Sequence, residues 1–158
     1  MGIFMSSYKL LDEDKAWIEA RLEHLNQKIK DLGEEFNEVL NQSSETWHDN
    51  APFDAVVDKQ SLLYAEYSHL KHIILNSQRI EVSKKSKTVA IGSQVTILSN
   101  GKYNTYFIAG DWSYLTGKTN DADAIVISCR TPIAKELLGK KVDSETKYGI
   151  VVELGDKV

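Results

Sequence analysis

Two apolar stripes with helical spacing lie on either side of one short polar segment, and this pattern limits the fold more than any other feature of the chain. The first stripe is Ile18, Leu22, Leu25, Ile29, Leu32, Phe36 and Val39. The second is Phe53, Val56, Gln60, Leu63, Tyr67, Leu70 and Ile74. Both advance by fours and threes, which keeps every stripe residue on one seam, so two such helices can close on each other as an antiparallel coiled coil. The segment between them, Ser43 to Pro52, carries Glu45, Thr46, Trp47, His48, Asp49 and Asn50. This places carboxylates at the tip of a helical hairpin.

Boundaries follow from local chemistry. Asp12, Glu13 and Asp14 offset the positive end of a helix dipole, so the first helix is expected from Asp12 to about Asn41. Gly33 inside it costs about 1 kcal/mol relative to alanine. Pro52 favours a first-turn position and Asn50 is the natural N-cap, so the second helix is expected from Ala51 to about Gln78. Residues 1–11 read as a lead-in.

Beyond the polar run Ser83-Lys84-Lys85-Ser86-Lys87 the apolar period changes to two. Val89 and Ile91 alternate, then Val95 and Ile97. The run from Tyr103 to Ala109 is bounded by Asn100-Gly101 and Gly110-Asp111, both turn signals. Ala124 to Ser128 and Lys147 to Leu154 are further strands, and Pro132 to Leu138 is a short helix ended by Gly139. The expected organisation is a hairpin domain over 1–82, a linker over 83–87 and a domain over 88–158 that joins a twisted antiparallel sheet to one short helix. The fold class is α+β.

Charge is unevenly spread over the 158 residues. Residues 1–82 hold eight Lys/Arg against fifteen Asp/Glu, and residues 83–158 hold eleven against eight. An acidic hairpin argues against general DNA binding, which requires phosphate neutralisation. No apolar run approaches the ~18 residues of a membrane helix, so no membrane partner is expected. A single cysteine, Cys129, excludes an internal disulfide and suits a reducing, cytoplasmic location.

The residue types at the tip suit turn and cap positions, and they also suit one chemistry. Glu45 and Asp49 are hard oxygen donors of the kind Mg²⁺ takes when water or phosphate fills its other positions. Trp47 and His48 between them suit contact with a partner. Asp111, Trp112 and Ser113 follow a turn and suit either a second contact patch or the edge of a β-hairpin. The chain lacks a glycine-rich phosphate loop, a nucleophile elbow and catalytic-triad spacing.

Four segments in order resemble the Gre transcript-cleavage factors of bacterial RNA polymerase. They are the coiled coil, the tip Trp47-His48-Asp49-Asn50-Ala51-Pro52-Phe53, the strand Ala90-Ile91-Gly92-Ser93-Gln94-Val95, and the run from Ser128 through Thr131 and Pro132 to Lys140, which is similar to the family's Ser-Pro signature and helix. The resemblance implies a helical hairpin joined to an FKBP-like domain. It implies docking of the second domain, with Thr131 and Pro132, beside the polymerase's secondary channel. The tip would then sit at the polymerase active site, near the 3′ end of the nascent RNA. On this reading the chain is a monomeric accessory factor and not itself an enzyme. It has no cofactor of its own, and Asp49 with Glu45 would share a Mg²⁺ of the polymerase to promote cleavage of backtracked RNA. The family tip carries two acids three residues apart. Asp49 matches the second, whereas Thr46 stands at the first. That departure supports an alternative expectation, a channel-binding regulator that inhibits the polymerase without promoting cleavage.

Overall fold

The stripes become two long helices in a computed structural model that describes residues 7–43, 51–82 and 87–156. Helix α1 spans Asp12–Ser43 and α2 spans Ala51–Leu75. Contacts divide the chain into two compact units, Ala16–Leu75 and a second formed by Met1–Lys15 with Asn76–Val158.

In the helical unit every residue of the first stripe is buried or half-buried, with Ile18 and Leu25 at 0% exposure. Val56 and Leu70 on α2 are buried as well. Each fully buried aliphatic side chain contributes about 1.5–3 kcal/mol, which holds together two helices that packing, rather than intrinsic propensity, must stabilise. The pairing is antiparallel: Arg21 meets Glu66, and Glu35 meets Lys59 nearer the other end. The end of the second stripe departs from the expected step. Ile73 is fully buried and Ile74 only partly, so the seam advances by three after Leu70.

The second unit contains a small parallel pair, β1 (Tyr8–Leu10) with β2 (Ser77–Arg79). Its main sheet has β3 (Ser93–Ser99), β4 (Lys102–Ala109), β5 (Ile125–Ser128), β6 (Glu145–Thr146) and β7 (Gly149–Asp156) in the order β5-β4-β3-β7-β6. Asn100 and Gly101, at φ 53 and 77°, make the two-residue turn between β3 and β4, where both positions require positive φ. Helix α3 (Pro132–Leu137) begins with proline in its first turn. The Thr131 side chain caps it by accepting from the Ala134 N–H at 3.3 Å.

The sheet is packed on both faces. Val95, Ile97, Ile108 and Val151 form a cluster with Ala134 and Leu137 of α3. Phe107, Ala109 and Val126 pack on the opposite face with Leu11 and Ala124.

Four expectations need correction. The lead-in contains strand β1. The second helix stops at Leu75, and Ser77–Arg79 leave it to pair with Tyr8–Leu10. The sheet is mixed, because β5 runs parallel to β4 with Phe107 opposite Val126. Its antiparallel neighbours are β4 and β7 on either side of β3. Val89 and Ile91 do not form a strand; Val89 is buried and exchanges backbone hydrogen bonds with Gly139 and Lys140 beyond α3.

Candidate functional site

The expected tip residues Glu45, Thr46, Trp47, His48, Asp49 and Asn50 lie outside the described residues. The two helices that lead to and from this segment are described. At ~1.5 Å per residue α2 is about 38 Å long. Among the described residues no group of three or more His, Cys, Asp and Glu converges as a metal site, and no helix is long and apolar enough to cross a membrane.

In the sheet unit the structure brings the remaining candidates together around the end of β4. The tight turn at Gly110 allows this. A Cβ there would collide with the carbonyl oxygen of Lys9, so only glycine lets the strand end approach β1 this closely. Asp111 then makes two backbone-directed bonds to the same residue. Its N–H donates to the Lys9 carbonyl at 2.8 Å, and its carboxylate accepts from the Lys9 N–H at 2.6 Å. The carboxylate also accepts from Arg130 Nε at 2.7 Å and from the Cys129 thiol at 3.4 Å.

This environment sets the titration of both acids. Burial pushes Asp111 up, but the Lys9, Arg130 and Cys129 donors outweigh it and hold its carboxyl below the usual range. Burial first, and then the hydrogen bond to the Asp111 carboxylate, raises the Cys129 thiol to about 11. Cys129 is therefore a protonated donor at neutral pH and a poor nucleophile.

Of the expected contact residues, Pro132 is exposed and Trp112 and Thr131 are half-exposed. Ser113 is 9% exposed, and its hydroxyl donates to Asp14 Oδ1 at 2.7 Å while accepting from the Leu115 N–H at 3.2 Å. It therefore braces the loop internally. Asp111 also turns inward, with its side chain 7% exposed against 56% for Arg130. Of this ion pair Arg130 is the member left facing solvent, and it is not among the expected contact residues. Asp14, read as a helix-dipole residue, is 3% exposed and receives Ser113 instead. A carboxylate 99 residues from its partner leaves no local signal. Arg130 had one: it immediately precedes the Thr-Pro pair that opens α3.

Comparison with known proteins places these features in a family. The family described as "Transcription elongation factor, GreA/GreB, C-term" matches residues 84–152. The transcription elongation factor GreA of Bacillus subtilis is 31% identical over 143 residues, covering 87% of this chain and 85% of that protein. The GreA of Staphylococcus carnosus is 33% identical over 103 residues, spanning 63% of this chain and 59% of that protein's length. Among solved structures, the GreA factor homolog 1 (Gfh1) protein of Thermus thermophilus is 19% identical with a TM-score of 0.46, covering 94% of this chain and 98% of that one.

Proposed function

Since the chain belongs to the GreA/GreB family of transcription elongation factors, we propose that it binds bacterial RNA polymerase, enters the secondary channel and stimulates cleavage of backtracked RNA by the polymerase. The observation that carries this reading is the helical hairpin itself. Helices of 32 and 25 residues are joined by the segment that contains Glu45 and Asp49. A paired-helix arm of this length suits the delivery of carboxylates to a site enclosed in another protein.

The chain supplies positioning and charge, and the hydrolysis belongs to the polymerase. Asp49, with Glu45 or Thr46, would offer oxygen ligands to a Mg²⁺ of that active site, which supplies the Lewis acidity for phosphodiester hydrolysis. Trp47, His48 and Asn50 would line the contact around them. The sheet unit would hold the factor on the polymerase surface through the Asp111–Trp112 loop and Thr131-Pro132. Such a factor works in the cytoplasm, as a monomer, next to the RNA 3′ end.

The test is an RNA cleavage assay on purified, halted elongation complexes with 3′-labelled transcript. The reading predicts short labelled fragments released faster with the protein than with polymerase alone. Equal rates would reject it. Thr46 in place of the family's first tip acid favours a second reading, an inhibitor that occupies the same channel. That reading predicts slower RNA synthesis and no short fragments.

A further inference from the structure

Arg130 is held in an unusual way for a surface arginine. Its Nε donates to Asp111 Oδ1 at 2.7 Å, while the side chain stays 56% exposed and that of Asp111 is 7% exposed. The anchor is itself fixed, because the Asp111 carboxylate also accepts from the backbone N–H of Lys9 at 2.6 Å. Arg130 has a second restraint: its backbone N–H donates to Ser128 Oγ at 3.2 Å. Among the described residues its two terminal nitrogens, Nη1 and Nη2, have no hydrogen-bond partner.

A guanidinium can present two forked edges. Here the Nε side is occupied and the Nη1/Nη2 edge is left over. Holding a long side chain in one orientation removes rotamer entropy before a partner arrives, so less is lost on binding. The next residues in the chain are Thr131 and Pro132, so the fork stands beside the segment already assigned to docking.

We propose that Arg130, aimed by Asp111, receives a surface carboxylate of the polymerase through its Nη1/Nη2 edge and is a specificity-determining residue of the docking face. The inference rests on the polymerase-binding reading given above. A planar fork matches a carboxylate with two parallel hydrogen bonds. A nucleic-acid backbone is the weaker match, because it is recognised by neutralising several phosphates along a strand. Here the neighbouring Asp111 cancels much of the arginine's long-range field, leaving a short-range, directional contact.

The experiment measures binding of the full chain to immobilised core polymerase, both free of nucleic acid and carrying an RNA–DNA scaffold, at low and moderate salt. It compares wild type with Arg130→Ala, Arg130→Lys and Arg130→Glu. Arg130→Ala is expected to weaken binding about tenfold and Arg130→Glu further. Arg130→Lys should recover only part, because an ammonium cannot reproduce the fork. Arg130→Ala and Arg130→Glu take the partner from the nearly buried Asp111 carboxylate and are expected to lower the melting temperature, Arg130→Glu more. Binding is therefore measured well below every melting point. Arg130→Lys, which keeps a cation beside Asp111, should show its loss of affinity with a melting temperature near that of wild type. If wild type binds and Arg130→Glu binds equally well, the inference is overturned while the polymerase reading stands. If the variants lose affinity only when RNA or DNA is present, the ligand is a phosphate and the carboxylate assignment is overturned. If wild type itself fails to bind the core enzyme, the parent reading fails.

Discussion

Arg21 on α1 and Glu66 on α2 meet through two hydrogen bonds, Nε to Oε2 at 2.6 Å and Nη2 to Oε1 at 2.9 Å. The pair fixes the axial register of the two helices, because only one sliding position satisfies both bonds. The hydrogen bond from Arg21 holds the Glu66 carboxyl below its ordinary range, despite an opposing effect of burial. A depressed folded-state pKa means the contribution is complete above the unfolded value of about 4.3 and fades as pH falls through the lower folded value. With side chains 32% and 37% exposed, solvent screening limits the pair to about 0.5–1 kcal/mol. Glu66→Gln should therefore lower stability by about that amount at pH 7, and the difference from wild type should shrink as pH falls below about 4.3 and through the lower value of the folded carboxyl. Urea unfolding at several pH values measures it.

The seam makes a sharper prediction about position. Leu25 is fully buried and Leu62 is 73% exposed, although both are leucines in the same hairpin. Leu25→Ala should cost about 2–4 kcal/mol, from lost burial and the cavity left behind. Leu62→Ala should stay within about 0.5 kcal/mol of wild type. Denaturant midpoints of the two variants separate the cases.

Glycines offer a similar contrast. At Gly33, inside α1, an added Cβ meets nothing within 4 Å. Gly33→Ala should stabilise the protein by about 0.5–1 kcal/mol, through helix propensity and a less disordered unfolded chain. Gly110→Ala should be strongly destabilising, because the new methyl would enter the Lys9 carbonyl that anchors β1. Melting temperatures should move in opposite directions.

These cases mark what the residues disclose and what they conceal. The hairpin was legible because the 4-3 step persists over five turns or more of each helix, and the buried positions reproduce it from Ile18 to Leu70. The turn at Asn100-Gly101 was legible because a two-residue loop with positive φ at both places admits few residue types. The β1/β2 pair was not legible. Strands of three residues show no period, and Ser77-Gln78-Arg79 continues an apparently helical run. Parallel pairing of β4 with β5 also escaped, since strand sequence sets which face is buried but not the direction of the neighbour. At the docking loop, turn signals located Asp111 and Ser113 correctly in the chain. They could not tell that both side chains turn inward and leave Arg130 outside, because the partners Lys9 and Asp14 lie about a hundred residues away.

Cys129 tests the interior of that loop. A thiol raised to about 11 by burial and the adjacent Asp111 should be almost wholly protonated at pH 8. Alkylation by iodoacetamide in native buffer should be at least tenfold slower than in urea, where the thiol returns to about 8.5. Because the folded value is the higher one, this group adds stability below about pH 8.5 that declines as pH rises toward 11. Mass spectrometry over a labelling time course reads the rates.

The most direct measurement of the central claim compares wild type with Asp49→Ala on halted polymerase complexes, recording cleavage fragments and, in parallel, competition for polymerase binding. A carboxylate that serves the cleavage reaction predicts at least a hundredfold loss of stimulated cleavage with little change in competition. Stimulated cleavage of equal rate for the two proteins would contradict the assignment of Asp49, and no stimulation by wild type would contradict the account as a whole.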